Sequence, residues 1–453
     1  MNIESINPWT GRVEYRYRYM AEAEVAALLS QAASATAAWA ERSIAERARY
    51  LQNAARVLRE RKPEIAALMA AEMGKLRSES LAEIEKSAAT CDYYAEHAAD
   101  YLADLLVATE AHRSYVRYEP LGAVFAVMPW NFPIWQVFRF LAPALMAGNV
   151  AILKHAVNVP RTADLIAEVM HVAGLPAGVF SVLHIDNAQA ARVIADPVVR
   201  AVSLTGSERA GRSVAASAGQ HLKKCVLELG GSDAFVVLDD ADLDRTVAAA
   251  IASRFGNAGQ TCIAAKRFVL VDAIAERFLA AFVGAAADLR LGDPLDAESS
   301  LAPMARADLA DALQTQVEAS ISAGARIVLG AQHQAGSTRY AATVLDRVVP
   351  GMPAYSEEMF GPVASILRAR DDADAVRIAN DTTFGLGGSV WTGDRERGDR
   401  IVRQLQVGAG FVNAIVRSDA RMPFGGTKSS GYGRELAAHG IHEFTNIKSV
   451  YIA

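Results

Sequence analysis

The chain has 453 residues, of which 52% are hydrophobic and 21% are charged, and its formal net charge is −5. This length allows two or three domains, and the composition is that of a folded globular protein rather than a disordered one. The slightly acidic balance offers no basis for binding nucleic acid or an anionic membrane surface.

The cysteines and the N-terminal segment predict a cytoplasmic protein. Cys91, Cys225 and Cys262 are widely spaced and match no metal-ligand pattern, so we expect neither a disulfide framework nor a metal site. The opening segment MNIESINPWTGRVEYRYRY lacks the apolar region of a secretory signal. No apolar run approaches the roughly 18 residues that a membrane-spanning helix needs.

The first quarter of the chain is predicted to be helical. Residues 7–11 read as a turn, and residues 21–107 are rich in Ala, Glu, Leu and Arg, with Pro63 as their one proline and Gly74 as their one glycine. This composition favours long amphipathic helices.

From residue 121 onwards, short apolar runs alternate with helical segments, which predicts parallel sheets with helices on both faces. Right-handed crossovers would place the C-terminal ends of the strands, and any ligand, along one edge. In the first series, strands are predicted at 121–128, 150–154, 179–183, 201–205 and 225–229, and helices near 134–147, 160–173, 187–195 and 207–219. In the second series, strands are predicted at 233–238, 267–271, 326–329, 363–369, 388–392 and 410–413, and helices near 241–254, 273–287 and 303–324.

The Gly230-Gly231 turn between the two series is the predicted domain boundary. It would place Glu228 and Cys262 on opposite sides of an interdomain cleft, where ligand sites commonly form. The tail TNIKSVYIA is predicted to be a strand that joins another subunit's sheet or a distant edge.

Glu228 and Cys262 are the strongest catalytic candidates. Glu228 lies in the apolar run VLEL, where loss of solvent raises the pKa of a carboxylic acid towards that of a general base. Cys262 follows the small, polar segment NAGQT, and a thiol in a cleft with a nearby base can be a nucleophile. The competing interpretations are a buried structural cysteine and a structurally paired glutamate.

Three further segments end predicted strands at the same edge. Two prolines fix the backbone around Asn131, whose amide could donate to an oxyanion, although an ordinary Asn turn is the competing interpretation. Lys154 could bind ribose hydroxyls or a phosphate, or it could be solvated. Gly206 and Ser207 open a helix whose free N–H groups could bind a pyrophosphate.

Seven motifs follow one another along the chain: PWNFP, ILK, TGS, ELGG, GQTC, EEMFGPV and PFGGTKSSGYGRE. Their order and approximate spacing resemble those of the NAD(P)-dependent aldehyde dehydrogenase superfamily, and the resemblance covers nearly the whole chain. The segments KHA, KKCVLELGGSD and SDARMPFGG look most similar to those of bacterial succinate semialdehyde dehydrogenases.

The resemblance implies an α/β fold with three parts: a Rossmann-like NAD(P)-binding domain (1–101 and 121–229), an α/β catalytic domain (230–432) and a small β oligomerisation element (102–120 and 433–453). A homodimer or homotetramer is implied. Cys262 would attack the aldehyde, Asn131 and the Cys262 N–H would bind the oxyanion, and Glu228 would activate the water that hydrolyses the thioester. NADP or NAD, without a metal, would be bound by Trp130, Lys154, Ala156, Val157, Gly206, Ser207, Leu229, Glu358 and Phe360.

The cofactor preference depends on one departure from the family. NAD-preferring members often carry a Glu where this chain has Val157, so we expect the 2′-phosphate of NADP to be tolerated near Lys154 and His155. NAD remains possible.

The substrate prediction depends on Arg139 and Ser418. Relatives that act on succinate semialdehyde place an arginine where Arg139 stands, and Ser418 precedes the PFGG motif, so both are predicted to bind the substrate carboxylate. A second arginine found in some relatives is Gly256 here, and Arg417 or Arg421 is a candidate substitute.

The leading hypothesis is oxidation of succinate semialdehyde, or a similar short carboxylated aldehyde, to the acid. A second hypothesis is an aldehyde dehydrogenase for uncharged aliphatic or aromatic aldehydes. A CoA-acylating relative is disfavoured because Glu228 is present. A non-catalytic binding protein of the same fold and a cysteine hydrolase remain open, although no histidine lies in a recognisable partner motif for the hydrolase.

Overall fold

The N-terminal part of the chain is a β-hairpin followed by four helices. The computed structural model describes residues 2–453. Local signals set the helix ends: the Ser43 side chain accepts a hydrogen bond from the Glu46 N–H, and Gly74 ends a helix with a left-handed φ of 76°. The elements are β1 (Asn2–Ile6), β2 (Val13–Arg18), α1 (Glu22–Ala40), α2 (Ile44–Glu60), α3 (Lys62–Met73), α4 (Arg77–Tyr101), β3 (Leu105–Leu106) and β4 (Arg113–Pro120).

The first large sheet comes from the next segment of the chain and confirms the predicted alternation. Its central strands β5 and β6 are buried along nearly their whole length because helices cover both faces. The elements are β5 (Ala123–Met128), α5 (Trp135–Met146), β6 (Val150–His155), α6 (Pro160–Val172), β7 (Phe180–Val182), α7 (Asn187–Ala195), β8 (Val199–Thr205), α8 (Glu208–Gln220) and β9 (Lys224–Glu228).

The second large sheet follows the Gly230-Gly231 turn. Its elements are β10 (Asp233–Val237), α9 (Leu243–Phe255), β11 (Ala265–Val271), α10 (Asp272–Ala287), α11 (Ala307–Ser322), β12 (Arg326–Leu329), β13 (Thr343–Asp346), α12 (Pro353–Ser356), β14 (Val363–Ala369), α13 (Asp372–Asn380), β15 (Gly387–Trp391), α14 (Arg395–Val402) and β16 (Ala409–Val412). The strand order is β12-β13-β14-β11-β10-β15-β16, and only the β12–β13 pair is antiparallel.

Sequence patterns missed β13 and the helices α12, α13 and α14. The helix predicted from residue 303 begins at Ala307 instead, because the preceding segment is tied to a neighbouring loop through the Met304 N–H, which donates to the Thr338 carbonyl at 2.8 Å. β13 has four residues, too few for its alternation to stand out.

The C-terminal segment returns to the first part of the molecule as β17 (Gly431–Tyr432), α15 (Ala437–His442) and β18 (Thr445–Ile452). β17 pairs antiparallel with β9 and places Gly431 opposite Glu228, so the first sheet has the order β17-β9-β8-β5-β6-β7. β18 pairs antiparallel with β4, which identifies the partner of the tail as a distant edge of its own chain.

Two packed regions meet at the Gly230-Gly231 turn. One core joins helices α1–α6 to the first sheet, and the second sheet is packed on both faces by two further apolar clusters. The ends of β5, β8 and β9 face the loops before β11 and β14 across this junction. Among the described residues, no helix is both long and apolar enough to cross a membrane.

Candidate active site

Cys262 lies on a tightly constrained loop between α9 and β11. The preceding residues Asn257, Ala258 and Gly259 all have positive φ, at 55°, 52° and 70°. A side chain at Gly259 would place its Cβ 2.3 Å from the Gly361 carbonyl oxygen, so only glycine fits there. The backbone at Cys262 is therefore held by strained local geometry that the surrounding structure fixes.

The electrostatic surroundings of Cys262 decide the ionisation of its thiol. Burial raises the pKa of Cys262 to about 12, whereas the positive charges of Arg139 and Lys266 lower it. Lys266 is fully buried, and its Nζ donates to the carbonyl oxygens of Thr261 at 2.9 Å and Cys262 at 2.6 Å. The thiol is protonated at neutral pH in this state, and additional positive charge nearby would favour the thiolate.

Asn131 is fixed at the end of β5 beside the same loop. Its backbone carbonyl accepts hydrogen bonds from Lys75 Nζ at 2.8 Å and Asn257 Nδ2 at 2.9 Å. Its side-chain Nδ2 donates to the backbone carbonyl of Gln260 at 2.9 Å. An amide Nδ2 carries two hydrogens, so one donor remains for a ligand. Asn131 and Cys262 line the same cavity.

Glu228 ends β9 in a nearly water-free position. It is 2% exposed, and its Oε1 has no hydrogen-bond partner among residues 2–453. Burial raises the pKa of Glu228 well above its ordinary value; Arg139 lowers it, and Glu435 raises it further. A Cβ at Gly425 would lie 2.8 Å from this Oε1, so the glycine leaves room for the carboxylate.

Arg139 lies between the catalytic candidates and is already paired. It is 2% exposed, forms an ion pair with Glu435, and donates from Nη2 to Thr205 Oγ1 at 3.2 Å. Its guanidinium carbon also lies 4.9 Å from the centroid of the Phe424 ring. The predicted contact of Arg139 with a substrate carboxylate therefore competes with an internal ion pair.

A cavity of about 280 Å³ opens beside Cys262 at the ends of β5, β8 and β9. The rings of Trp130 and Phe360 form one wall, edge to face with centroids 5.9 Å apart. Glu358 Oε1 accepts a hydrogen bond from the Gly231 N–H at 3.1 Å. Most of the predicted cofactor residues lie here: the cavity is lined by Trp130, Asn131, Gly206, Ser207, Leu229, Cys262, Glu358 and Phe360, among others.

The remaining predicted cofactor residues lie on the loop after β6. Lys154 is 6% exposed, and burial lowers its pKa. Ala156 packs in a small cluster with Trp130, and Val157 is 39% exposed. None of the three lines the first cavity, and Val157 lines a separate cavity beside the β1–β2 turn.

His155 has a structural role on this loop. Its ring bonds to the Pro133 carbonyl through Nε2 at 2.8 Å and accepts from the Ala156 N–H through Nδ1 at 2.9 Å. Burial lowers the pKa of His155 to about 4, so the ring is neutral. Both ring nitrogens are therefore already used, so His155 offers no free hydrogen-bonding group to the 2′-phosphate that we expect to be tolerated near Lys154 and His155.

A second cavity of about 320 Å³ lies beside the Cys262 loop. Thr261 and Ile263, the neighbours of Cys262 in sequence, line this cavity, whereas Cys262 itself lines the first one. Its walls are mostly apolar, with Phe132 and Trp135 on one side. Cys262 thus lies between two cavities, because it lines the first and its sequence neighbours line the second.

Ser418 lies close to the second cavity. It is 7% exposed, and its Oγ accepts a hydrogen bond from Lys86 Nζ at 2.7 Å. Of the proposed substitutes for the missing arginine, Arg421 is paired with Asp419 through two hydrogen bonds, and Arg417 is exposed. Gly256 lines the second cavity itself.

Comparison with known proteins identifies the family. The sequence profile described as "Aldehyde dehydrogenase family" matches residues 1–450. The chain belongs to the aldehyde dehydrogenase family. This result confirms the resemblance inferred from the seven motifs and the α/β fold that it implied.

Several relatives of this aldehyde dehydrogenase act on one substrate, according to their names. The chain is 46% identical to the succinate semialdehyde dehydrogenase [NAD(P)+] Sad of Escherichia coli K12, over 99% of this chain and 97% of the relative. It is 45% identical to succinate-semialdehyde dehydrogenase [NADP(+)] 1 of Mycobacterium tuberculosis H37Rv, over 100% of both. The crystal structure of a succinic semialdehyde dehydrogenase from Streptococcus pyogenes with NADP+ superposes with a TM-score of 0.97 at 36% identity, covering 99% of each chain.

Sequence reasoning did not select three charged residues around this aldehyde dehydrogenase site. Glu435 lies inside the motif GYGRE, so the motif itself was the available signal. Lys266 follows Cys262 by four residues but resembles any strand lysine. Lys86 lies on α4, far from every motif, and no local pattern marks it.

Proposed function

We propose that this aldehyde dehydrogenase oxidises succinate semialdehyde to succinate with NADP+ or NAD+. The observation that carries the proposal is the position of Cys262 between two cavities, with Asn131 in the lining of the first and Glu228 close enough for its charge to act on the Cys262 thiol. The names of its relatives support the choice of substrate. The first cavity, with its aromatic wall and free backbone groups at the start of α8, fits the nicotinamide end of a dinucleotide.

The first chemical step is addition of the Cys262 thiolate to the aldehyde carbon. The carbonyl oxygen becomes an oxyanion and accepts hydrogen bonds from Asn131 Nδ2 and the Cys262 N–H. Lys266 holds the Cys262 carbonyl and thereby orients this part of the loop. When bound in the first cavity beside Trp130 and Phe360, NAD(P)+ would supply the oxidant as a hydride acceptor, and Cys262 would then carry the acyl group as a thioester.

The second step is hydrolysis of that thioester. Glu228 takes a proton from a water molecule, the resulting hydroxide attacks the acyl carbon, and the Cys262 sulfur leaves. Burial raises the pKa of Glu228, which makes its carboxylate a stronger base towards the proton of the water. Each cycle converts one aldehyde, one water and one NAD(P)+ into one carboxylate, one NAD(P)H and two protons.

Steady-state kinetics with a small aldehyde panel test this function. We expect kcat/KM for succinate semialdehyde to exceed that for butanal by roughly 100-fold, because a charged hydrogen bond to the carboxylate adds binding energy that the methyl group lacks. NAD(P)H absorbance at saturating NADP+ and at saturating NAD+ provides the measurement. Equal or better turnover of butanal or benzaldehyde would instead support the dehydrogenase for uncharged aldehydes.

A carboxylate introduced at Val157 tests the proposed tolerance of NADP. Since Val157 is 39% exposed, Val157→Glu should fold normally. It should raise KM for NADP+ about 10- to 100-fold and change KM for NAD+ little, because the new carboxylate repels the 2′-phosphate. Val157→Gln has the same size without the charge and serves as the control. Parallel changes for both cofactors would contradict a 2′-phosphate near Val157.

We also propose that the sheet β18-β4-β3 mediates self-association. One face of this sheet exposes the large hydrophobic side chains of Leu105 at 57%, Ile447 at 61% and Tyr451 at 55%. A contiguous apolar surface of this kind commonly contacts another protein. A second copy of this chain is the proposed partner, because a sheet edge of this kind offers strand pairing to an identical edge.

A further inference from the structure

Lys86 is a cation held at the second cavity without an internal anion. It lies on α4, is half-buried, and lines the cavity together with Trp135 and Thr261. Its Nζ donates to Ser418 Oγ at 2.7 Å and lies 4.2 Å from the centroid of the Trp135 ring. Among residues 2–453, no carboxylate lies within 4 Å of it. An ammonium group has three donors, so donors remain for a ligand.

Two of the acidic residues near Lys86, Glu83 and Asp419, are engaged elsewhere, whereas Glu79 lines the same cavity with its Oε2 unpartnered, and burial raises the pKa of Glu79, which favours its neutral form. Glu83 on α4 pairs with Lys75 and accepts hydrogen bonds from the Ile134 and Trp135 N–H groups at 2.9 Å. Asp419 is paired with Arg421. Neither carboxylate is therefore free to move to Lys86 without leaving its own partners unsatisfied.

The positive charges near Lys86 make its protonated form less favourable, and a bound anion would offset this effect. The pKa of Lys86 is lowered to about 8, chiefly by burial and also by Arg139 and Arg417, while the charges of Glu83 and Asp419 raise it. Arg139 already has Glu435 as its anion, whereas Lys86 has none. A carboxylate that entered the cavity would relieve this unfavourable state of Lys86.

The reacting carbon and Lys86 face the same cavity. Thr261 and Ile263 on either side of Cys262 line it, so an aldehyde that reaches Cys262 from this side has its remaining atoms inside the cavity. The apolar walls formed by Phe132, Trp135 and Val416 suit a short methylene chain. A short aldehyde with a terminal carboxylate matches this order of groups.

We propose that Lys86, oriented by Ser418 and Trp135, binds the terminal carboxylate of the aldehyde whose carbonyl reacts with Cys262. This inference rests on the proposed function and assigns its substrate selectivity to a residue outside the sequence motifs. Lys86 is a specificity-determining residue that contacts the substrate and takes no part in the bond-making steps.

The test compares Lys86→Met with the wild-type enzyme on succinate semialdehyde and on butanal, which carries a methyl group in place of the carboxylate. We expect KM for succinate semialdehyde to rise about 10- to 100-fold with kcat within about 3-fold, and KM for butanal to stay within about 2-fold. Lys86→Arg should restore most of the affinity because it keeps the charge. An equal rise for both aldehydes, or no rise for succinate semialdehyde, would overturn the proposal.

The pH dependence of KM gives a second readout. As the pH passes about 8, Lys86 loses its proton in the free enzyme, so KM for succinate semialdehyde should rise while KM for butanal stays level. In Lys86→Arg this rise should disappear, because arginine stays protonated. An identical rise in Lys86→Arg would assign it to another group and contradict the role of Lys86.

Controls separate this inference from the proposed function. Lys62→Met removes a lysine that forms an ion pair with Glu85, the residue before Lys86. This control should leave the KM values for succinate semialdehyde and for butanal unchanged. Thermal unfolding of each variant checks that the fold is kept. If wild type oxidises butanal but not succinate semialdehyde, the proposed function fails; if it prefers succinate semialdehyde and Lys86→Met keeps that preference, only the role of Lys86 fails.

Discussion

Cys262→Ala is expected to lower the rate of NAD(P)H formation by about 10⁴-fold or more at saturating aldehyde. The alanine variant has no sulfur to form the thiohemiacetal, so hydride transfer loses its covalent intermediate. Because the loop around Cys262 is fixed by Asn257, Ala258 and Gly259, loss of one sulfur should leave the backbone in place. The absorbance of NAD(P)H, followed over time, measures the rate.

Two controls make the Cys262 result specific. Cofactor binding, followed by quenching of tryptophan fluorescence, should persist because Trp130 and Phe360 remain in the first cavity. Cys225→Ala removes a half-buried thiol that contacts Tyr432 Oη at 2.9 Å, and it should keep its activity within about 2-fold. Unchanged NAD(P)H formation in Cys262→Ala would refute the covalent mechanism.

Glu228→Gln is expected to separate the two chemical steps. The amide has nearly the same size but accepts no proton from water, so thioester hydrolysis should slow by about 10²- to 10³-fold. Hydride transfer precedes this step and does not use the carboxylate. A rapid burst of about one NAD(P)H per active site should therefore precede a slow steady state, and stopped-flow absorbance measures both phases.

The pH dependence strengthens the Glu228 test. Burial and Glu435 raise the pKa of Glu228, so its base form accumulates as the pH rises, and the hydrolysis rate of wild type should rise with it. The slow phase of Glu228→Gln should lack this rise. Glu357→Gln changes an exposed glutamate next in sequence to Glu358 and should behave as wild type. A Glu228→Gln variant with no burst and no turnover would contradict the assignment, because it would place Glu228 before hydride transfer.

Local sequence signals predicted much of the fold. The alternating strands and helices from β5 to β9 were predicted because both faces of that sheet are covered, which gives continuous apolar runs bounded by turn residues. β13 and α13 were missed because short elements carry little periodicity, although Asp371 caps α13 by accepting from the Asp374 N–H. No local pattern predicts the pairing of β17 with β9, because β17 has only two residues and its extended conformation depends on the hydrogen bonds to β9.

The residues of the proposed catalytic step are marked in the sequence by their neighbours. Cys262, Glu228 and Asn131 each lie beside glycine or proline residues that a turn or a close approach requires, and these leave a pattern in the sequence. The Gly230-Gly231 turn shows why: a Cβ at Gly231 would lie 2.7 Å from the Cys262 carbonyl oxygen, so the two halves of the site meet only if that residue is glycine.

The sequence by itself determined the family and the alternating fold and marked Cys262 as the candidate nucleophile, because backbone constraints and motif order are local properties. Only the tertiary structure decided how the charges are distributed. Arg139 meets Glu435 and Lys86 meets Ser418 through folding of distant segments, and no spacing along the chain encodes such pairs. Packing thus gives Arg139 a carboxylate partner and gives Lys86 only a hydroxyl, so Lys86 is free to bind an anion.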